Sequence, residues 1–590
     1  MFRISRSAMS VAVALVLFSS PDLMAQPAAG VAQAQESGSV RGRVFNTATG
    51  EYIRNAEIRV EGTGIVTYSE DGGQFRINGV PAGEARLTVR YTGLKDAVET
   101  VRVDAGAVAN LDIALQSPTY ASGADATTLD SVRVTASRSG EAIAIMERRA
   151  AMNAKHVVPA DSYGVLTMGD VGEFMKSMPG VSLDYTEVDA TQVRIGGLDP
   201  KYSTFTMDGA RMATATSNNN AGRQNSFEQM SITGIESIEL NHTLTASMDA
   251  DSPAGNINMR SKYAFDRTGR DVIFQVGGVA TSNSGFFSRK YFPDDRKHET
   301  VYPSGQLGYG EVFMDGRFGV ALNASYNANY VQQDRIQTDW AYYPDGRVLP
   351  YRLMWRPGPK MTTRTAANLS TDFRITDDWT FSLRSAYSHY DVEYFNQYTY
   401  LHMGTTGTSW ATPDSTPTNI VVDPRGEGSS SPRLHTGYSH RYAGTPAVTF
   451  APKLEYKGET TDVTFRGSYS TSEFNFRDGS EGFLQRTDSW LTRLGFTAER
   501  ESEDSTAWYL NQTAGRDWSD PSNWGLDDPI GNNIRNNESD AKNKQYGFNV
   551  DVKKELDFGA LPLTLMTGVA TRRNEWQTNE SHFQQYAYVG

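Results

Sequence analysis

From Phe318 to Tyr330 the chain reads FGVALNASYNANY, with an apolar residue at every second position. Phe318, Val320, Leu322, Ala324, Tyr326, Ala328 and Tyr330 fall on one face, and Asn323, Ser325, Asn327 and Asn329 on the other. A period of two is that of a β-strand. WTFSLRSAY (379–387), VTFRGSYS (463–470), YGFNVDVKKEL (546–556) and LPLTLMTGV (561–569) repeat it, with tyrosine and tryptophan near strand ends.

Two-faced strands of this kind separate hydrocarbon from a polar lumen, and the terminal aromatics suit an interfacial girdle. ITDDW (375–379), KGETTD (457–462) and DFGA (557–560) predict tight turns, whereas 331–364, 396–446 and 474–543 predict long loops. Short turns at one end and long loops at the other fit a transmembrane β-barrel. A large soluble β-sandwich that binds polysaccharide is the alternative, and it does not explain the asymmetry.

The pattern differs upstream. Residues 1–34 combine Arg3 and Arg6 with the apolar run AMSVAVALVLF and small residues, an export signal cleaved after Ala25 or Ala34. Between 38 and 116, AEIRVEG, GQFRING and EARLTVRY alternate apolar with polar residues, and TATGE, EDGG and PAGE interrupt them, predicting a small antiparallel sandwich. A polar linker covers 117–138, within which DSVRVTASR is either the first strand of the next unit or a free strand offered to another protein's sheet edge. From 139 to 265 the texture is α/β. Val171, Phe174 and Met175 mark a helix ended by Pro179 and Gly180, and Ile232, Ile235, Ile238 and Leu240 are spaced as a second helix running into a strand.

Composition narrows the function. A formal charge of -13 argues against nucleic acid, and zero cysteines exclude thiol catalysis, Cys-based metal sites and disulfides. The eight histidines are scattered, and no nucleophile elbow or phosphate-binding glycine loop occurs. No enzyme, cofactor or metal site is implied.

Two stretches resemble known families. Gly42, Gly50, Ala56, Gly62, Asp71, Gly72, Phe75, Pro81, Gly83 and Gly93 carry a resemblance to the carboxypeptidase regulatory-like domain, which implies a noncatalytic accessory module, structural or carbohydrate-binding. MPGV, VRIGGLDPKYSTFTMDG, ITGIESIEL and DADSPAGNINMRSK, in that order, resemble the plug domain of TonB-dependent outer-membrane receptors. The motif positions are Pro179, Gly180, Arg194, Gly196, Gly197, Asp208, Gly209, Glu236, Glu239, Gly255 and Asn258; Ala254–Gly255 stands where the family has two glycines, and NHTLTAS replaces its K-G-P.

The resemblance implies that Asp130, Ser131, Val132, Arg133, Val134, Thr135 and Ala136 form a TonB box. That segment would be engaged in the periplasm by a TonB-type energy-transducing protein through strand addition. The expected fold is mainly β: an N-terminal sandwich, an α/β plug (139–265) and the first part of a large antiparallel transmembrane barrel (266–590). About 22 strands need well over 400 residues, so the barrel reads as C-terminally truncated.

The implied function is TonB-dependent import of an extracellular ligand, oligosaccharide or siderophore-like, across the outer-membrane lipid of a Gram-negative bacterium. A signalling receptor on the same barrel is the alternative. RLMWRPGPK (352–360) and NWGLDDPIGNNIRNN (523–537) are candidate ligand-contacting loops. Asp249 and Asp251 start like a calcium loop, but Pro253 and Arg260 occupy ligand positions, so the pair is expected to be architectural. Pro253 and Gly255 would turn the chain so that Ile257 and Met259 pack inside the plug, with Arg260 and Lys262 facing the lumen wall.

Overall fold

A computed structural model describes residues 37–117, 136–160, 171–186, 189–215, 226–227, 230–266, 269–280, 290–291, 297–298, 301–524, 533–557 and 562–587. The accessory unit contains β1 (Ser37–Asn46), β2 (Glu57–Val60), β3 (Val66–Tyr68), β4 (Gln74–Pro81), β5 (Gly83–Arg90), β6 (Ala97–Val103), β7 (Val108–Asn110) and β8 (Ile113–Leu115). Its two sheets run β4-β1-β7, with β8 also on β1, and β3-β2-β5-β6. Val40, Val44, Ile58, Phe75, Ile77, Leu87, Val89 and Ile113 fill the space between them. The expected sandwich is present, but not wholly antiparallel. β7 and β8 join β1 in parallel, because the chain returns from β6 to the same end of the sheet.

α1 (Ala136–Ala150) then leads into β9 (Lys155–Pro159), α2 (Val171–Met175), β10 (Val181–Thr186), β11 (Asp189–Ile195), β12 (Ser203–Met207), β13 (Ala210–Arg211), β14 (Ile235–Asn241) and β15 (Gly255–Ser261). β10 and β11 form a hairpin, and the rest form a five-stranded sheet ordered β13-β12-β15-β14-β9. α2 buries Val171, Phe174 and Met175.

The expected second helix is absent: Ile235, Ile238 and Leu240 lie in β14. Their spacing imitates a helix because β14 is central, paired with β15 and β9 and buried on both faces, so no strict alternation is required. Ile257 and Met259 pack inside, as expected. Arg260 does not face the lumen wall; it turns towards Asp71 of the accessory unit and Glu236 of β14.

The remaining strands are β16 (Asp271–Ala280), β17 (Lys290–Tyr291), β18 (Lys297–His298), β19 (Val301–Phe313), β20 (Phe318–Gln332), β21 (Arg335–Tyr342), β22 (Val348–Arg356), β23 (Pro359–Arg374), β24 (Trp379–His402), β25 (Asn419–Val422), β26 (Arg433–Lys457), β27 (Thr461–Phe476), β28 (Arg486–Thr492), β29 (Gly495–Glu499), β30 (Tyr509–Ala514), β31 (Asn533–Asp557) and β32 (Pro562–Ala587). An antiparallel meander β16-β19-β20-β23-β24-β26-β27-β31-β32 carries β22 and β28 as extensions.

The register puts Phe274, Leu307, Leu322, Leu369, Phe450, Phe548 and Val569 on one exposed face. Asn323, Asn368, Ser370, Ser470 and Gln545 are buried on the other. A membrane-crossing strand needs about 10 residues, but β24, β26, β31 and β32 have 24 to 26. They therefore project well beyond any bilayer. This corrects the long-loop expectation for 331–364, 396–446 and 474–543: much of their length continues the ladders. The hairpin β21–β22 and the sheet β25-β29-β30 pack there around Tyr343, Leu349, Leu401, Met403, Trp410 and Phe496.

Candidate functional site

Segment 212–215, just after β13, lies along the polar face of the large sheet. Ala213 N donates to Ser470 Oγ (2.9 Å), Ala215 N to Ser472 Oγ (3.1 Å) and Thr214 N to Asn543 Oδ1 (3.2 Å), while Gln545 Nε2 donates to Met212 O (2.9 Å). At a second seat Thr233 Oγ1 meets Ser325 Oγ at 2.5 Å, and Asn368 Nδ2 donates to Thr233 O. Asp189 on the β10–β11 hairpin pairs with Lys360 and accepts from Tyr390. These are polar bonds between a globule and a wall, the kind that water can replace.

Asp249 and Asp251 serve this seating. Both pair with Arg211 (3.3 and 2.9 Å), and both reach Arg572 of β32, Asp251 at 3.0 Å. The architectural expectation holds, with an ionic partner in the wall that sequence alone did not identify.

A second ionic cluster joins three units. Arg54 of the accessory sandwich pairs with Glu147 near the end of α1 (2.9 Å) and lies 3.7 Å from Glu236 of β14. Lys155 of β9 pairs with Glu147 (3.1 Å) and lies 3.7 Å from Glu239. Arg260 of β15 pairs with Glu236 (3.2 Å) and with Asp71. α1 is held further by Met146, fully buried, whose sulfur accepts from Thr92 Oγ1.

Burial alone would raise the Asp71 carboxyl, but Arg260 and Arg54 outweigh it and hold it well below the ordinary range. Burial is likewise outweighed at Glu147 by Arg54 and neighbouring donors, so that carboxyl is also lowered. Glu239 goes the other way: burial, then the charge of Glu147, pushes it up to about 7. Burial, Glu236 and Asp71 also raise Asp266. Arg54 and Arg260 thus favour the ionised forms of Asp71 and Glu147, whereas burial and neighbouring carboxylates favour the protonated forms of Glu239 and Asp266.

The other plug-motif residues shape the backbone around this cluster. Gly180, Gly196, Gly197 and Gly209 take positive φ at turns. Gly255 has φ +131°, and a Cβ there would sit 2.7 Å from Asn241 O. Asp208 accepts from Ser261 N (3.0 Å), and Asn258 binds Gly209 N (3.0 Å) and Glu239 (3.3 Å). Arg194 only closes the β10–β11 hairpin on Asp184 (2.7 Å), away from the cluster. Residues 130–135 of the expected TonB box lie outside the described residues, and Ala136 is the first residue of α1.

The accessory unit also touches a short turn of the large sheet. Arg76 Nη1 donates to Gly458 O (3.1 Å), Asn78 Nδ2 to Glu459 O (2.6 Å), and Lys457 pairs with Glu70. Arg54, Glu147, Lys155 and Arg572 were not singled out from sequence. Each is an ordinary surface charge in a one-dimensional reading, and only the partner's position gives it a role.

Residues 39–116 match the carboxypeptidase regulatory-like domain, and residues 147–256 match the TonB-dependent receptor plug domain. No curated protein sequence matches the chain. Among solved structures it is similar to the ferric enterobactin receptor PfeA (10% identity, 70% of this chain, 62% of that chain, TM-score 0.30). It is also similar to the siderophore receptor PiuA from Acinetobacter baumannii (10%, 74%, 64%, 0.27) and to the ferric yersiniabactin uptake receptor FyuA from Yersinia pestis (10%, 72%, 80%, 0.24). The chain spans 52% to 64% of the length of the first three matched structures, and likeness this distant says nothing about its ligand. With both matched in order ahead of a two-faced antiparallel sheet, the chain carries an N-terminal carboxypeptidase regulatory-like domain followed by a TonB-dependent receptor plug domain.

Proposed function

We propose that this receptor imports an extracellular ligand, oligosaccharide or siderophore-like, across the outer membrane of a Gram-negative bacterium, using force delivered by a TonB-type protein to residues 130–136. The observation that carries the reading is the seating of the plug. A globule joined to its wall largely by hydroxyl, amide and ionic contacts, with a small apolar contact at Ala215, can be shifted without opening its own core.

Ala136, the last box residue, is also the first residue of α1, and that helix ends beside Glu147, which holds Arg54 and Lys155. Tension on the box would load this ion pair before it reaches β14 and β15. The accessory unit, docked on a short turn, lies at the same end and so on the periplasmic side.

Two constructions test the proposal in cells. Deleting residues 130–136 should abolish energised uptake while leaving the receptor in the outer membrane. The chain has no cysteine, so Ala213→Cys with Ser470→Cys gives a background-free cross-link that should block uptake until reduced. Uptake that survives either change would refute the transport reading.

A further inference from the structure

We propose that a cavity of about 370 Å³ at the outer end of the lumen binds a carboxylate-bearing ligand, an inference that rests on the transport reading above. The cavity lies between β22, β24, β26, β28 and β31, and its walls include Arg356, Arg441, Arg486 and Arg535.

Strand parity fixes which way it faces. Tyr390 of β24 points into the lumen, where it reaches Asp189 of the plug. Tyr394, Tyr398 and Tyr400 have the same parity on the same unbroken ladder, and all three line the cavity. A larger cavity of about 670 Å³ beside Phe395, Gln397 and Tyr438 has the opposite parity and so opens outside the lumen.

Its electrostatics are those of an anion site. Among the described residues, none of the ten that line it is a carboxylate. Asp478 holds Arg441 at 2.9 Å and Asp488 holds Arg486 at 2.8 Å, but Asp488 also accepts from Tyr398 and contacts His435. Arg486 and Arg535 stand directly opposite in the β28–β31 ladder. Like charges directly opposed on neighbouring strands destabilise the pairing. Among the described residues, the buried Nε of Arg535 also meets no hydrogen-bond partner.

A bridging carboxylate would relieve both features, since guanidinium stays charged at any working pH and forks two oxygens. Beside it, tyrosine faces offer stacking for a ring, and Arg486 already lies 5.5 Å from the Tyr398 ring centre. The volume is near the low end for small-ligand sites, about 300–1,000 Å³, which suits one or two charged rings. Arg356 lies in RLMWRPGPK and Arg535 in NWGLDDPIGNNIRNN, stretches far apart in sequence that the ladders bring to one chamber. Below it, Lys360 and Tyr390 both touch Asp189, so an occupant sits over the plug hairpin.

The shared chemistry has two sources, an acidic oligosaccharide or a ferric polycarboxylate. Calorimetry on the detergent-extracted full chain with trigalacturonate, ferric citrate and neutral maltotriose separates them. One anionic probe should bind, more weakly as salt rises, and maltotriose should not. Arg535→Gln should weaken binding about tenfold or more, with part of the affinity kept by Arg535→Lys.

Folding is checked by the outer-membrane yield of each variant; if Arg535→Gln fails to assemble, Arg486→Gln replaces it under the same expectation. Failure of both anions to bind, equal binding of maltotriose, or affinity indifferent to the arginine change would overturn the site. Arginine-dependent binding in a chain whose uptake ignores deletion of 130–136 would instead overturn the transport reading and leave the site standing.

Discussion

Replacing Glu147 with glutamine should release α1 from the plug by an amount that Glu239 partly hides. The Glu147 side chain is 5% exposed and contacts two cations, Arg54 at 2.9 Å and Lys155 at 3.1 Å. Removing one member of a buried ion pair costs about 3–5 kcal/mol. Glutamine keeps an acceptor oxygen, however, and the Glu147 charge that adds to burial in raising Glu239 disappears. Glu239, already 3.7 Å from Lys155, should then ionise at neutral pH and take over that partner.

We therefore expect a net loss of about 2 kcal/mol, read as roughly thirtyfold faster amide exchange in peptides covering 136–150 by mass spectrometry. Glu239→Gln alone should change exchange little at pH 7. The double variant has no carboxylate left for Lys155, so its loss should reach about 4 kcal/mol, well beyond the sum of the single changes. Exchange altered less than threefold in Glu147→Gln, or strict additivity, would refute the balanced-cluster account.

The same group sets a pH dependence. Glu239 holds its proton in the folded state up to about pH 7 but releases it near its ordinary value when unfolded. The folded state thus binds more protons across roughly pH 4.5 to 7, and stability of the α1–plug junction should fall with rising pH there, by up to about 1.4 kcal/mol per unit. Exchange measured at several pH values, corrected for intrinsic rates, should show this slope in the parent and lose it in Glu239→Gln. Gly234 lies at the Thr233 seat with φ +72°, and a Cβ there would come within 2.9 Å of Asn368 Cβ. Gly234→Ala should loosen the plug from the wall by about 1–3 kcal/mol, visible as faster proteolysis within the plug; an unchanged digestion pattern would count against this seat.

Much of the architecture was legible in the chain because it rests on local periodicity. Alternation through 318–330 fixed both the strand and its two faces, and the register keeps Leu322 and Tyr326 outward and Asn323 inward. The glycine and proline punctuation of the plug was equally local, since positive φ at Gly180, Gly196 and Gly209 is a property of single residues.

Sequence misled where burial replaced alternation. β14 lies between two strands, so its apolar residues need not alternate and they mimicked helical spacing. Segments rich in turn residues looked like loops, yet neighbouring ladders extended through them. What only the tertiary structure decided was pairing between distant charges: Arg54 with Glu147, Asp251 with Arg572, Arg486 opposite Arg535. A charged side chain carries no local signal of its partner, because Coulomb attraction acts through space and the fold alone sets the distance.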